Sequence, residues 1–212
     1  LYWKREKGKI VEGLGPTLYA KLLYKKDGGK ILSDFTHHET DAPIDPMSLV
    51  KKYCLSKTDN SYHQNSNEGG HHSKYFDINN DLILQPLCKD ILNVSKQFCD
   101  ELEVNSVTKI QNMWCILNKK GHYNREHIHA HSFLSGVFYP GDEYPDGCGD
   151  LSLVHPSHHL MNYDWDHKQK NYNKYNSLVM NIKPKRGMLL LFPSFIPHFV
   201  HINKSNSDRL VI

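Results

Sequence analysis

From residue 105 onward the chain breaks into short β-rich runs separated by turn signals, and that rhythm leaves few folds open. The runs are 109–117, 127–131, 134–139, 149–154, 178–182, 188–192, 198–202 and 209–212. Gly121, Pro140, Gly141, Pro145, Gly147, Pro184 and Gly187 fall between them. Segments this short suit strands better than helices, and Gly and Pro supply the reversals that antiparallel pairing needs. The expected fold is mainly β: a double-stranded β-helix, or jelly roll.

The first half reads differently. Leu84, Leu87, Cys88, Ile91, Leu92, Ser95, Phe98 and Cys99 recur at helical spacing and predict a helix over 83–101 with one core-facing stripe. Pro86 is compatible with that helix only in its first turn. Asp45 followed by Pro46 predicts an N-cap and a helix running to about Tyr53. Residues 56–74 are rich in Asn, Ser and Gly and read as a loop. The expectation is one domain over 1–212. Residues 1–104 form a helical and loop elaboration packed outside, and residues 105–212 form the jelly-roll core.

Composition removes several classes. Hydrophobic residues at 39% and charged residues at 23% mark an ordinary globular chain. No apolar run approaches the roughly 20 residues a membrane helix needs. The start has no signal-peptide core. The missing initiator Met and the strand-like last residues suggest trimmed ends. A net charge of +3, with basic and acidic residues interleaved, gives no footprint for nucleic acid. Five cysteines without a CxxC pair argue against a disulfide framework or a cysteine zinc site, and for a reducing cytoplasm.

The 15 histidines are the one compositional oddity, and spacing decides which carry chemistry. In the run NREHIHAHS, from Asn124 to Ser132, residues two apart share a strand face. His127 and His129 can therefore bind one metal ion. His131 lies beyond the pair, near a turn. The run GMLLLFPSFIPH ends in a Pro-bracketed turn that delivers His198 from a distant strand, with His201 as its rival. Asp142, Glu143, Asp146 and Asp150 are further candidate ligands. Three imidazoles on one face of an iron ion would leave positions open for other ligands. Eleven residues after His198, Arg209 offers a planar fork suited to a carboxylate.

Residues 111–212 resemble the 2OG-Fe(II) oxygenase family of marine bacteria and their phages, a relative of the prolyl-4-hydroxylase-like enzymes. The motifs that carry the resemblance are NKKGHYNREHIHAHSFLSGVFY over 118–139, PKRGMLLLFPSFIPH over 184–198 and DRLVI over 208–212, with SNEGGHHS over 66–73 upstream. The resemblance implies Fe(II) on His127, His129 and His198. It implies 2-oxoglutarate anchored by Arg209, O₂ as co-substrate, and a hydroxylation. A Tyr at the place of Tyr139 donates to the co-substrate carboxylate in related enzymes. Ser135 and Asn118 are further candidates to line that pocket.

The sequence departs from the family at one ligand: the usual triad has a carboxylate where this chain has His129. Two other readings stay open here, a three-His dioxygenase that needs no 2-oxo acid and a non-catalytic metal-binding jelly roll. The substrate, a peptidyl residue or a small molecule, is not identified by the sequence, and neither is the oligomeric state. The polar, aromatic loop from His155 to Asn176 is expected to shape substrate access.

Overall fold

A computed structural model describes residues 21–23, 45–58, 66–105, 107–159, 170–171 and 177–212. Within them lie eleven strands and two helices. The helices are α1 (Pro46–Lys57) and α2 (Gln85–Glu101). Asp45 caps α1 by accepting from the Met47 amide, and Pro46 occupies the first turn, where its missing N–H costs nothing. Pro86 likewise falls in the first turn of α2. No helix among the described residues is long and apolar enough to cross a membrane.

The strands are β1 (Lys21–Leu23), β2 (Asn67–Glu68), β3 (His71–His72), β4 (Ile116–Asn118), β5 (Tyr123–His127), β6 (Leu134–Phe138), β7 (Leu151–Val154), β8 (Val179–Ile182), β9 (Leu189–Pro193), β10 (His198–Val200) and β11 (Arg209–Val211). They form three sheets, ordered β1-β9-β6, β2-β5-β10-β7-β8 and β11-β4-β3. All the pairings are antiparallel.

The apolar run of β9 shows how the layers stack. Leu189 and Leu191 join a cluster with Val50 and Cys54 of α1 and Leu87 and Phe98 of α2. Leu190 and Phe192 point the other way, into a second cluster with Leu151, Leu153 and Ile196. Alternation along one strand thus places helices on one face of the β9 sheet and β7 on the other. Each such side chain, fully buried, contributes roughly 1.5–3 kcal/mol. The helices pack outside the β structure, as the sequence pattern predicts.

Three local expectations change. Residues 67–68 and 71–72, read as loop, pair as β2 and β3 with β5 and β4. With β1, the sheets therefore draw three short strands from ahead of residue 105. The run 127–131 does not continue as a strand: β5 ends at His127, and His131 turns the chain with a φ of 69°. The run 109–117 yields only the strand 116–118. Before it, the Ser73 and Phe76 amides donate to Cys115 and Met113 without a continuous ladder. All five cysteines are buried and free. The expected access loop, 155–176, lies largely outside the described residues.

Candidate metal centre

Strand register makes the centre. His198 of β10 sits directly opposite His127 of β5, so both side chains leave the same face of the sheet. Their ring centroids are 4.2 Å apart. His129 follows two residues later, where its amide donates to the Ser194 carbonyl at 3.1 Å and ties the turn after β5 to the turn after β9. Its ring lies 5.0 Å from each of the other two. One ligating nitrogen from each of the three histidines lies within 4.8 Å of the others.

Backbone carbonyls set the ring orientations. His127 Nδ1 lies 2.7 Å from the Arg125 carbonyl, and His198 Nδ1 lies 2.9 Å from the Ile196 carbonyl. A carbonyl only accepts, so each Nδ1 carries the proton and each Nε2 keeps a lone pair. His129 Nε2 approaches His198 Nε2 to 3.2 Å. Phe192 packs edge-on against the His198 ring at 4.8 Å.

Burial favours the neutral rings. It pushes His198 down to about 3, helped by the neighbouring His127, and His129 down to about 4. His127 is lowered too, again by burial first. Three neutral imidazoles with convergent nitrogens form a donor set that fits a divalent ion such as iron.

A cavity of about 870 Å³ opens over this cluster, and Arg209 and Tyr139 line it together with the three histidines. Arg209 stands opposite Asn118 in the β11–β4 pairing and is only 2% exposed. Its Nη1 donates to the carbonyls of Cys148, Gly149 and His201, at 3.0, 3.1 and 3.3 Å. Its Nε and Nη2 make no hydrogen bond to any described residue, which leaves that side of the fork for a ligand. Burial lowers the guanidinium's affinity for its proton, while Tyr139 and Cys148 act in the opposite direction. Tyr139 is buried, edge-on to Tyr144 at 5.2 Å, and burial raises its hydroxyl pKa, so it remains a proton donor.

The predicted residues divide into two groups. His127, His129, His198, Arg209, Tyr139 and Ser135 all line the one cavity. The Ser135 hydroxyl is already bonded to that of Ser194, at 2.8 Å. Asn118 is fully buried behind the cavity wall, and its amide donates to Asn124 Oδ1 at 3.1 Å. The rival ligands lie outside the cluster. His201 Nε2 is 2.9 Å from the Ser152 hydroxyl. Asp142 pairs with Lys51 and Arg186, Asp146 pairs with Lys183, and Glu143 accepts from Ser207. Asp150 is not part of the three-histidine group, and neither is His131, which lines the same cavity without joining the cluster.

Trp114 also lines the cavity. Its ring is 5.8 Å from His129 and stacks on His72 at 5.4 Å, with Tyr75 tilted beside it at 5.7 Å. Its place directly after Met113, a core residue, hides that role in the sequence.

Comparison with known proteins gives the same picture. Residues 112–212 match the family model described as "Putative 2OG-Fe(II) oxygenase", so the resemblance read from the motifs holds over that stretch. Residues 1–62 match a second model, described as "Protein of unknown function". No curated protein matches by sequence.

Among solved structures, a prolyl-4-hydroxylase of Pseudomonas putida is similar at 15% identity and TM-score 0.55, over 80% of this chain and 84% of that one. A prolyl hydroxylase of Trichoplax adhaerens, solved with a hypoxia inducible factor peptide, is similar at 15% identity and TM-score 0.54, over 78% and 75%. The non-heme alpha-ketoglutarate-dependent epimerase SnoN of nogalamycin biosynthesis is similar at 10% identity and TM-score 0.60, over 92% and 76%. The fold is the double-stranded β-helix that these 2OG oxygenases share.

Proposed function

We propose that this protein is an Fe(II)- and 2-oxoglutarate-dependent oxygenase, acting as a hydroxylase on a substrate that enters past Trp114. The observation that carries the reading is the placement of three neutral imidazoles and one buried, half-occupied guanidinium in a single cavity. His127, His129 and His198 would hold the iron, with the Arg125 and Ile196 carbonyls fixing two of the three rings. Arg209 would bind the far carboxylate of 2-oxoglutarate through Nε and Nη2, and Tyr139 would add a hydroxyl donor. Ser135, tied to Ser194, would shape the wall beside them.

Bound iron supplies activation of O₂ coupled to decarboxylation of the 2-oxo acid: substrate C–H, O₂ and 2-oxoglutarate become substrate C–OH, succinate and CO₂. The protein's own part is to keep three ligating nitrogens unprotonated, to hold the acid in one orientation and to shield the site. With His129 in place of a carboxylate, the protein contributes no negative charge to the ion. The anionic co-substrate then has more of the metal charge to itself.

Trp114, with His72 and Tyr75, gives the entrance a planar aromatic wall suited to an apolar or ring-bearing group. The two prolyl hydroxylases above are named for a peptidyl residue, and a side chain of that kind would fit this wall. We place the protein in a reducing cytoplasm, where free cysteines persist, with neither membrane nor nucleic acid as its partner.

The test is an anaerobic titration of the metal-free protein with Fe(II) and then 2-oxoglutarate. A visible metal-to-ligand charge-transfer band is expected, and it should fade in Arg209→Ala. Tight iron binding with no band, and no effect of 2-oxoglutarate on stability, would overturn the co-substrate. That result would favour the three-His dioxygenase or the inert metal module.

A further inference from the structure

Between His127 and Asn124, strand β5 carries three residue steps against two on β10, where His198 faces His127 and Val200 faces Asn124. Arg125 and Glu126 together oppose the one residue Phe199, which is a β-bulge. In an unbulged strand, residues three apart point to opposite faces. The bulge cancels that alternation and turns Asn124 onto the face that bears the histidines.

Asn124 is 6% exposed and lines the cavity with His127, His198, Arg209 and Tyr139. Its Oδ1 is already engaged by Asn118 Nδ2 at 3.1 Å, while its own Nδ2 has no partner among the described residues. An asparagine whose oxygen is tied down presents only donors. Asn203 Nδ2 donates to the Asn118 backbone carbonyl at 3.0 Å, while Asn118 Oδ1 is buried with no partner among the described residues. Gly70 leaves it room, because a Cβ there would stand 2.2 Å from Asn118 Oδ1. Asn67, across from Asn124 in the β2–β5 pairing, is also buried, and neither amide atom of its side chain has a partner. Three asparagines therefore stand where a sheet interior is ordinarily apolar, and buried amides that are not fully bonded cost stability. Arg209, Tyr139 and Asn124 all offer donors to the cavity, and the one carboxylate that lines it among the described residues, Glu126, is on an exposed residue.

We propose that Asn124 is a further co-substrate-binding residue, its amide donating to the carboxylate-bearing acid that Arg209 anchors, and that Asn118 is its positioning residue. This rests on the reading of the cavity as a 2-oxo acid site. A donor aimed in advance loses little freedom on binding, so a hydrogen bond from it to an anion keeps most of its strength.

The experiment measures 2-oxoglutarate affinity by anaerobic calorimetry on the Fe(II)-loaded protein, with Fe(II) affinity measured separately. Asn124→Ala is expected to keep Fe(II) affinity within about twofold and to weaken 2-oxoglutarate about tenfold. Asn124→Asp should weaken it further, since it sets a like charge against the acid. Asn118→Ala should weaken 2-oxoglutarate severalfold in the parent protein and have no further effect in an Asn124→Ala background, a coupling that a merely structural role would not produce.

Unchanged 2-oxoglutarate affinity in Asn124→Ala overturns the inference and leaves the proposed function standing. Loss of Fe(II) binding along with 2-oxoglutarate in both Asn124 variants makes Asn124 structural and also overturns it. Failure of the parent protein to bind 2-oxoglutarate is a different result, because it removes the function reading itself.

Discussion

A Cβ added to Gly149 would lie 2.1 Å from Arg209 Nη1: the guanidinium fills the space a side chain would need. Gly149 also has φ +99°, a conformation other residues rarely adopt. Its own carbonyl is one of the three that Nη1 reaches. Gly149→Ala should therefore destabilise the protein by on the order of 3 kcal/mol, from backbone strain and displacement of a buried cation together. It should weaken 2-oxoglutarate more than iron, because the histidine cluster is built on β5, the turn after it and β10. Denaturant unfolding and calorimetry check both, and a variant as stable as the parent would mean that Arg209 moves aside freely.

Arg209→Lys keeps the charge and removes the fork. An ammonium cannot serve three carbonyls and still present a free edge to a carboxylate. The expected outcome is at least about tenfold weaker 2-oxoglutarate binding. Iron affinity should be close to that of the parent. Equal 2-oxoglutarate affinity would show that simple charge, not bidentate geometry, holds the acid.

The parts of this site legible in the sequence are those set by simple periodicity. His127 and His129 stand two apart, and the Pro-bracketed turn before His198 marks a chain reversal. Arg209 opens the last β-rich run, and all four reach one cavity. The stripe of α2 and the Asp45–Pro46 start of α1 were legible for the same reason, because caps and helical spacing are local. Asn124 was not legible, because its face depends on a bulge at Arg125 and Glu126 that only pairing with β10 reveals. Asn118 is a pocket candidate in the sequence and lies one step behind the cavity wall in the structure, since burial depth has no signature in a single polar residue. β2 and β3 were hidden because two-residue strands bordered by Gly69 and Gly70 carry no alternation to read.

His198 and His201 look alike in sequence and differ in surroundings. His198→Ala should lower iron affinity by more than about 100-fold, given that losing even an orienting partner of a ligand costs 10–100-fold. His201→Ala should leave iron affinity unchanged, because its ring faces the Ser152 hydroxyl outside the cluster. Equilibrium titration with Fe(II) under argon separates the two, and equal losses would mean that the three-histidine assignment is wrong.

Phe192 links the core to the metal centre. It is fully buried in the cluster around Leu190 and packs edge-on against the His198 ring. Phe192→Leu should cost on the order of 1–2 kcal/mol of stability, from a partly filled cavity. It should also weaken iron several-fold, because the His198 ring loses the wall that holds it. A loss of stability with unchanged iron affinity would show that the Ile196 carbonyl alone fixes that ring.

Metal removal should be visible in stability without any substrate. Three imidazole nitrogens lie within 4.8 Å of one another, and a bound cation would join their lone pairs. A cation that binds only the folded chain at 100 times its dissociation constant adds about 2.7 kcal/mol. For a chain of this size that corresponds to a rise in Tm of roughly 5–10 °C. Mn(II), which avoids oxidation during the scan, should produce the rise, 2-oxoglutarate should add to it only when metal is present, and a chelator should reverse it. A Tm indifferent to Mn(II), Co(II) and Fe(II) alike would mean that the three histidines are packed as an apolar cluster and hold no ion.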